Sequence, residues 1–529
     1  MAKIKGALIN SMMSTYSDME TVRVCIERHA DTSPERLFLI APDSGQSLSF
    51  AQLKLAVDEL GPQLDRLGLA RGAKVAFLMN NGYWTLRLFL GVMANNRIIV
   101  PLNAVAGTVQ LVHVLSHSDA EIVFVAPEYR DKLAEIMAQV ERPIQVIEVS
   151  EENGPDWPME NNPATTTAVP TAEDTALLLY TSGSTGLPKG AMISHRAVTC
   201  GGRNVTEGHQ LQPHDRALCV LPVYHINGAM VTVSAPLYSG SSVVMPKRFS
   251  ATDYWQLVAE HRCTWSSIVP TIIKYLLDRA EREAFDFGND ERLANFRFAR
   301  SASAPLAAVT LEQWEQVFKV PMIETLGLTE TAGTVASNPL PPAARKPGSV
   351  GLPYGNEIII VDEQANECPP LVVGELIIRG SNLLDFYYKN PDATEASIRQ
   401  GWFYTGDLGR KDDEGYIFIT GRSKELIIRG GENIAPREID DVLYKHEAIL
   451  EAAAVGVDDE NYGQEVVACV VIRDGYECGE EELKTFCESG VGRYKSPKII
   501  YFFDDLPKGP SGKILRLQLP ALIAKSAVE

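Results

Sequence analysis

Residues 180–190 read Tyr-Thr-Ser-Gly-Ser-Thr-Gly-Leu-Pro-Lys-Gly and follow directly on the apolar run Ala176–Tyr180. That run predicts a buried strand, and we expect a helix from His195 onward. Between them, three glycines allow the backbone to approach a ligand closely, hydroxyl groups offer donors, and Lys189 supplies positive charge. Such a loop between a strand and a helix suits a polyphosphate. It is not a Walker A loop, because Gly190 stands where that motif requires Ser or Thr.

The same segment taken alone is also typical of an exposed Gly/Ser turn. The rest of the sequence is therefore needed to distinguish a polyphosphate-binding loop from such a turn. Helical patterns begin near Leu53, Trp84 and Val109, and short apolar runs follow them at Val75–Met79, Ile98–Val100 and Ile122–Ala126. This alternation predicts parallel βαβ units and an α/β fold class. We expect Gly61-Pro62 to interrupt or kink the first helix, because proline lacks a backbone N–H.

The pattern changes near residue 421 to that of a smaller α+β domain. The predicted elements are helix 437–445, strand 451–457, strand 465–472, a helix around 480–488, and strand 498–503. A segment of roughly 100 residues is large enough to fold as a unit. We therefore predict an N-terminal domain over residues 1–421 and a C-terminal domain over residues 422–529.

Composition excludes several classes of protein. The 529 residues carry a formal net charge of −19, and a chain this acidic is a poor general binder of nucleic acid. No apolar run is long enough to cross a membrane, and the polar N-terminus lacks the apolar core of a signal peptide. The 8 cysteines are scattered without a CxxC pair, which indicates free thiols in a reducing compartment. We expect a cytoplasmic protein.

Further motifs occur in a fixed order along the chain. They are Leu221-Pro-Val-Tyr-His-Ile-Asn-Gly228, Ser301-Ala-Ser-Ala-Pro305, Glu324-Thr-Leu-Gly-Leu-Thr-Glu330, Gly401-Trp-Phe-Tyr-Thr-Gly-Asp407, Gly421-Arg-Ser-Lys-Glu425 with Gly430-Gly-Glu-Asn433, and Pro507-Lys-Gly-Pro-Ser-Gly-Lys513. With the loop at 180–190, this series resembles the adenylate-forming superfamily of acyl- and aryl-CoA synthetases, nonribosomal-peptide adenylation domains and beetle luciferases. The resemblance implies a large N-terminal adenylate-forming domain of layered α/β subdomains and a small, mobile C-terminal α+β domain.

The resemblance also implies the reaction and its cofactors, which are ATP, Mg²⁺ and CoA. A carboxylate attacks the α-phosphorus of ATP, giving an acyl-adenylate and pyrophosphate, and a thiol then displaces AMP. Because the first step joins two anions, the protein must neutralise charge and align the attack. The residues implied around the ATP phosphates, with a catalytic role for Thr185, are Thr181, Ser182, Gly183, Ser184, Thr185, Gly186 and Lys189.

Other positions match residues that act on the nucleotide, the metal and the thiol. Lys513 corresponds to the adenylation lysine, Glu330 to the magnesium ligand, and Asp407 to the ribose-binding carboxylate. Lys424 corresponds to the hinge between the domains. The remaining positions implied around the nucleotide and the pantetheine path are Ser303, Ala304, Pro305, Leu326, Gly327, Thr329, Arg422, Gly430 and Gly431. Leu326 departs from the family, which usually has an aromatic residue there stacked on adenine.

The acid pocket is implied by the motif around His225, to which we assign a role in the pocket or in its gating. The residues expected to line it are His225, Asn227, Gly228, Ala302 and Ser303. Amino-acid-activating members carry an aspartate in the Tyr224-His225 motif, whereas residues 221–235 of this chain contain no carboxylate. Burying an ammonium group without a counter-charge is costly, so an α-amino acid is disfavoured.

We therefore predict an acid–thiol ligase, an AMP-forming acyl-CoA synthetase for an acid without an α-amino group. The alternative acceptor is the phosphopantetheine of an acyl carrier protein. A non-enzymatic adenylate-binding scaffold is disfavoured by the presence of both Lys513 and Glu330. The sequence leaves open the identity of the acid and the oligomeric state, with a homodimer among the options.

Overall fold

The computed structural model describes residues 20–158, 169–181, 187–283, 290–509 and 513–526. Within these ranges, no helix combines the length and the apolar character needed to cross a membrane.

Helices and strands alternate along most of the described chain. The α-helices are α1 Val22–Thr32, α2 Phe50–Arg66, α3 Tyr83–Ala94, α4 Thr108–Ser118, α5 Arg130–Met137, α6 His195–Gly208, α7 Ala235–Ser239, α8 Tyr254–Glu260, α9 Pro270–Glu283, α10 Ala308–Phe318, α11 Pro391–Ser397, α12 Pro436–Leu443, α13 Glu480–Val491 and α14 Leu519–Ser526. The strands are β1 Leu37–Ala41, β2 Gln46–Ser49, β3 Lys74–Leu78, β4 Ile98–Pro101, β5 Ala120–Val125, β6 Gln145–Ser150, β7 Gly154–Pro155, β8 Thr175–Thr181, β9 Lys189–Ser194, β10 Arg216–Leu218, β11 Ser242–Val244, β12 Trp265–Ile268, β13 Phe298–Ser301, β14 Met322–Leu328, β15 Gly333–Ser337, β16 Leu352–Pro353, β17 Glu357–Val361, β18 Gly374–Arg379, β19 Phe386–Tyr387, β20 Ile398–Arg399, β21 Trp402–Lys411, β22 Ile417–Arg422, β23 Ile427–Arg429, β24 Glu432–Ile434, β25 Ile449–Asp459, β26 Gly463–Ile472 and β27 Ile499–Phe502.

Two large sheets make up most of the N-terminal region. One has the strand order β19-β9-β8-β4-β3-β5-β6-β7 and the other β16-β15-β14-β13-β12-β10-β11-β1-β2. The pairs β3–β4, β3–β5 and β5–β6 are parallel, as the alternating pattern predicts. One apolar cluster contains Phe38 of β1, Phe77 of β3 and Phe298 of β13, so the two sheets share a core.

Two local predictions differ from the structure. Helix α2 is not interrupted but runs through Pro62 as one element, because Leu53, Val57 and Leu64 on its inner face are all buried and their packing outweighs the lost hydrogen bond. The alternative of a kink at Pro62 stays a prediction. The loop after β8 does not lead directly into a helix. It leads into β9, which pairs antiparallel with β8, and α6 begins only after β9.

The later part of the chain forms two smaller sheets. Strands β17-β18-β21-β20 with β22 form the first, and β24-β23-β26-β25 with β27 form the second. The second sheet and helices α12 and α13 share an apolar cluster that includes Ile439, Val466 and Leu483. The predicted mixed α/β architecture, with a large N-terminal and a small C-terminal domain, is confirmed. The boundary at residues 421/422 falls at the end of β22 and stays a prediction.

Candidate active site

The β8–β9 hairpin holds both ends of the predicted phosphate loop. Residues Ser182, Gly183, Ser184, Thr185 and Gly186 lie outside the described residues. At the flanks of the loop, Thr181 pairs with Lys189 in the antiparallel ladder. The Lys189 ammonium lies 5.1 Å from the centre of the Tyr387 ring, in cation–π geometry.

Tyr387 also contacts the predicted metal ligand. Its hydroxyl donates a hydrogen bond to Glu330 Oε1 at 2.8 Å. Burial, together with the Glu330 charge, raises the pKa of Tyr387 well above its usual range, so the phenol remains a donor at neutral pH. The Glu330 backbone is fixed in turn, since its carbonyl accepts from Leu384 N at 2.7 Å. The sequence offered no motif for Tyr387, which follows the match at Glu330 by more than fifty positions.

Strand β14 and the short 3-10 helix Thr329–Thr331 carry the Leu326–Glu330 motif. Leu326 pairs with Ala336 of β15 and packs, partly buried, against an apolar cluster that contains Val335. Gly327 allows the close approach of these two strands, because a Cβ there would lie 2.4 Å from the Gly333 carbonyl oxygen. Thr329 is half-buried beside Glu330.

Asp407 and Arg422 face each other across the pair β21–β22. The Arg422 Nε lies 2.6 Å from Asp407 Oδ1, and the Asp407 side chain is only 6% exposed. The Asp407 backbone N–H donates to Thr405 Oγ1 at 2.9 Å, which fixes the strand locally. Asp407 is therefore a buried, paired carboxylate within a strand and not a turn residue.

The charges of this ion pair act on Lys513. Burial lowers the pKa of Lys513, and the nearby positive charge of Arg422 lowers it further, while the charges of Glu425 and Asp407 act in the opposite direction. Lys513 therefore interacts electrostatically with Asp407 and Arg422, which precede it by many residues in the sequence. The half-buried ammonium group of the C-terminal domain thus lies in the electric field of this carboxylate and this guanidinium.

His225 is neutral in this structure. Burial lowers its pKa to about 4. Its Nδ1 accepts from Asn227 N at 3.3 Å, which orients the ring within the turn that leads into the π-helix Asn227–Ser234. A neutral imidazole is compatible with a pocket or gating residue and does not supply a counter-charge.

Asn227 joins the segments expected around the acid. It accepts from Ser267 Oγ at 2.6 Å and its Nδ2 approaches Ser303 Oγ at 3.4 Å. Gly228 is required by packing, because a Cβ there would lie 2.2 Å from the Pro222 carbonyl oxygen. The residues that follow β13 are Ala302, which is buried, Ser303 and Ala304, which are half-buried, and Pro305, which is exposed.

The predicted hinge and the glycine pair lie in the next segment. Lys424 is in the 3-10 helix Ser423–Glu425 directly after β22. Gly430 and Gly431 form the two-residue turn between β23 and β24, with φ of 57° and 87°. Positive φ at both positions is the geometry in which glycine is preferred.

Comparison with known proteins assigns the family. The AMP-binding enzyme family matches residues 26–388, and its C-terminal domain family matches residues 438–513. The chain belongs to the AMP-binding enzyme family.

Relatives within the family cover nearly the whole chain. A sulfoacetate–CoA ligase of Cupriavidus necator is 43% identical over 94% of this chain and 97% of its own. An oxalate–CoA ligase of Arabidopsis thaliana is 34% identical over 94% of this chain and 98% of its own. The ATP-bound MatB of Rhodopseudomonas palustris superposes with a TM-score of 0.84 at 28% identity, covering 95% of this chain and 99% of MatB. An o-succinylbenzoate CoA synthetase of Bacillus subtilis, solved with ATP and magnesium, gives a TM-score of 0.83 at 28% identity, covering 95% of this chain and 99% of its own.

These matches confirm the predicted superfamily, the acid–thiol ligase class, and ATP, Mg²⁺ and CoA as the cofactors of this AMP-binding enzyme. They support CoA over a carrier protein as the acceptor. The individual roles assigned to residues stay predictions.

Proposed function

We propose that this AMP-binding enzyme joins a carboxylic acid to CoA in two half-reactions, with Lys513 as the residue that promotes the first. The observation that supports the assignment is the electrostatic interaction of Lys513, in the C-terminal domain, with both members of the Asp407–Arg422 pair. Asp407 is the carboxylate expected to bind the ribose, so a cation of the C-terminal domain acts close to the nucleotide site.

In the first half-reaction an acid oxygen attacks the α-phosphorus, and the bond from that phosphorus to the pyrophosphate oxygen breaks. Lys513 stabilises the negative charge that accumulates between the acid and the α-phosphate. Asp407 accepts hydrogen bonds from the ribose hydroxyls. The loop at 182–186, with Lys189 at its end, binds the outgoing phosphates.

Glu330 suits a magnesium ion, because it offers a hard carboxylate oxygen whose position is fixed by Tyr387. Glu330 would hold the ion, and bound Mg²⁺ would neutralise the charge of the ATP phosphates.

In the second half-reaction the CoA sulfur attacks the acyl carbonyl carbon, the bond to AMP breaks, and the thiol proton leaves to solvent. The C-terminal domain turns about Lys424, so that Lys513 leaves the site and the Gly430-Gly431 turn takes its place. A turn without side chains leaves room for the pantetheine arm.

The acid lacks an α-amino group. His225 is neutral, and the segment around it holds no carboxylate that could pair with an ammonium. The relatives named for sulfoacetate and oxalate act on acids of this kind. We further propose a cytoplasmic location, which the absence of disulfides among the eight cysteines supports. A homodimer and a carrier-protein acceptor stay predictions without further support.

The test separates the half-reactions. Pyrophosphate release is measured with a panel of acids, with and without CoA, and the best acid is converted into its acyl-adenylate. Lys513→Ala should reduce acid-dependent pyrophosphate release by ~10²–10³-fold, the scale of one lost transition-state charge contact. The same variant should still make thioester from the acyl-adenylate and CoA.

Lys525→Ala, an exposed lysine of α14, serves as the control and should leave both half-reactions unchanged. Equal loss of both half-reactions in Lys513→Ala would show that Lys513 does not act in adenylation alone.

A further inference from the structure

Arg300 in β13 is a buried cation with unused donors. It is only 1% exposed. Its Nη2 donates to Thr325 Oγ1, while Nε and Nη1 have no hydrogen-bond partner among the residues that the structure describes. Within the described ranges, no carboxylate forms an ion pair with it. Because a buried and unpaired charge is strongly unfavourable, a binding partner is expected for this guanidinium.

The guanidinium lies on the face of the sheet that carries the predicted acid pocket. In the parallel pair β12–β13, Arg300 is the register partner of Ser267, so the two side chains share one face. Ser267 donates to Asn227, and Asn227 approaches Ser303. One chain of hydrogen bonds therefore connects the strand position opposite Arg300 with two residues expected to contact the acid.

Arg300 keeps its positive charge in this buried environment. Burial lowers the pKa of Arg300 to about 9, so the group is protonated at neutral pH. The nearby His209 is neutral, because burial and then the charge of Arg300 hold its pKa well below the usual value. Trp265 and Phe298 precede Ser267 and Arg300 by two residues on their strands, and their stacked rings form an apolar wall on the same face.

We infer that Arg300 determines acid specificity by binding a second anionic group, a carboxylate or a sulfonate, at the end of the acid remote from the reacting carboxylate. The inference rests on the proposed function and names the substrate class of that site. Two free N–H directions on one planar group match the bidentate geometry that guanidinium groups use with such anions.

The acid is short. Ser303 lies three positions after Arg300, and a strand advances about 3.3 Å per residue, so the two Cα atoms are about 10 Å apart or less. That span accommodates a chain of two to four carbons with an anion at each end. The curated relatives at 43% and 34% identity are named for sulfoacetate and oxalate, which both fall in this class.

The experiment compares matched acids in the full-length protein with ATP, Mg²⁺ and CoA. Malonate and sulfoacetate are each paired with propionate, and succinate with butyrate, while oxalate is paired with acetate. Pyrophosphate release gives kcat/KM for each acid. The wild type should prefer at least one dianion over its matched monoanion. Arg300→Met should reduce that dianion's kcat/KM by about 10- to 100-fold, mainly through KM, and leave the monoanions unchanged or improved.

Two further variants control for folding. Arg297→Met removes a neighbouring arginine whose Nη1 pairs with Asp215 at 2.6 Å, and it should lower the melting temperature without changing the preference between acids. Arg300→Lys keeps the charge but loses the planar geometry, and should give an intermediate dianion preference. If Arg300→Met does not fold, the inference is tested by comparing the dianion preference of the wild type with that of Arg300→Lys.

The outcomes distinguish the role of Arg300 from the ligase function. If the wild type prefers monoanions, or if both acid classes fall equally in the Arg300 variants, the role of Arg300 is overturned while the ligase function stands. If none of these short acids releases pyrophosphate but another acid of the wider panel does, the inference is wrong and the proposed function stands. If no acid of either panel releases pyrophosphate, the proposed function is wrong as well. A dianion-selective loss that spares the monoanions supports both.

Discussion

Tyr387 is a single residue that contacts two groups of opposite charge at the site. Its hydroxyl binds the Glu330 carboxylate and its ring faces the Lys189 ammonium. A phenol that remains protonated can orient a carboxylate without changing its charge, which leaves Glu330 available as a cation ligand. The residue thus couples the predicted metal ligand to the end of the phosphate loop.

Removing the charge at Glu330 tests this assignment. Glu330→Gln keeps the shape of the side chain, and we expect adenylation to fall ~10²–10³-fold, with partial recovery at high Mg²⁺. Tyr387→Phe should have a smaller effect, because it removes one hydrogen bond to a charged group, which is worth about 1.5–3 kcal/mol. Both are followed by pyrophosphate release during a Mg²⁺ titration.

The matched control is Tyr388→Phe, whose hydroxyl bonds Asp119 instead. It should show wild-type dependence on Mg²⁺. Wild-type activity of Glu330→Gln at limiting Mg²⁺ would contradict the role of Glu330.

At the scale of elements, the π-helix Asn227–Ser234 and the turn before it carry residues of the predicted acid pocket. The first turn of this helix packs closely against the Pro222 carbonyl oxygen. Gly228 fits at this contact because it has no Cβ. Because Asn227 is the adjacent residue, a shift of this turn also displaces its hydrogen bonds to Ser267 and Ser303.

Gly228→Ala should therefore impair acid binding while sparing the nucleotide. The added methyl group would stand 2.2 Å from the Pro222 oxygen, so the turn must move. We expect KM for the acid to rise about 10-fold and the melting temperature to fall by several degrees, with ATP affinity unchanged in a calorimetric titration. Gly107→Ala is the control, since its Cβ would meet nothing within 4 Å. If the Kd for ATP rises by the same factor as the KM for the acid, Gly228 does not act on the acid pocket alone.

Elements with strong local patterns were predictable, and those set by distant contacts were not. The βαβ alternation identified β3, β4 and β5, because buried parallel strands are continuous apolar runs. Strand β9 was not predicted. Its residues, Lys189–Ser194, form one arm of the β8–β9 hairpin, and their strand conformation depends on the pairing with β8. Tyr387 and Arg300 were missed for a similar reason: their partners, Glu330 and the face around Ser267, lie far away in sequence. Asp407 and Lys513 could be proposed from the sequence because each lies in a short local motif, and their roles stay predictions.

At the scale of the whole molecule, the two domains meet at Lys274 of α9. Its side-chain nitrogen, Nζ, donates to the Leu450 carbonyl oxygen of β25 in the C-terminal domain. Burial lowers the pKa of Lys274 from 10.5 to about 7. The charged groups that act on it are Arg473, Asp278, Glu451 and Lys508.

This contact makes the domain arrangement depend on pH. In a state with the domains apart, Lys274 is exposed and its pKa returns toward the ordinary value. Between pH 7 and about 10 the separated state then binds more protons, so raising the pH favours the observed arrangement, and below pH 7 the dependence disappears. We expect the radius of gyration from small-angle scattering to decrease as the pH rises from 7 to 9.5. Lys274→Met should abolish the pH dependence of the radius of gyration. If the variant shows a decrease of equal size, another titrating group causes it.

The pairing of β19 with β9 ties together parts of the chain that sequence order separates. Phe386 and Tyr387 pair with Met192 and Ala191, so the eight-stranded sheet is completed by a segment nearly two hundred residues later. A chain ended before Phe386 would therefore leave β9 as an open edge, with a row of unpaired N–H and C=O groups beside the phosphate hairpin. Such an edge recruits strands from other molecules, so truncation at that point would turn the eight-stranded sheet into a template for aggregation.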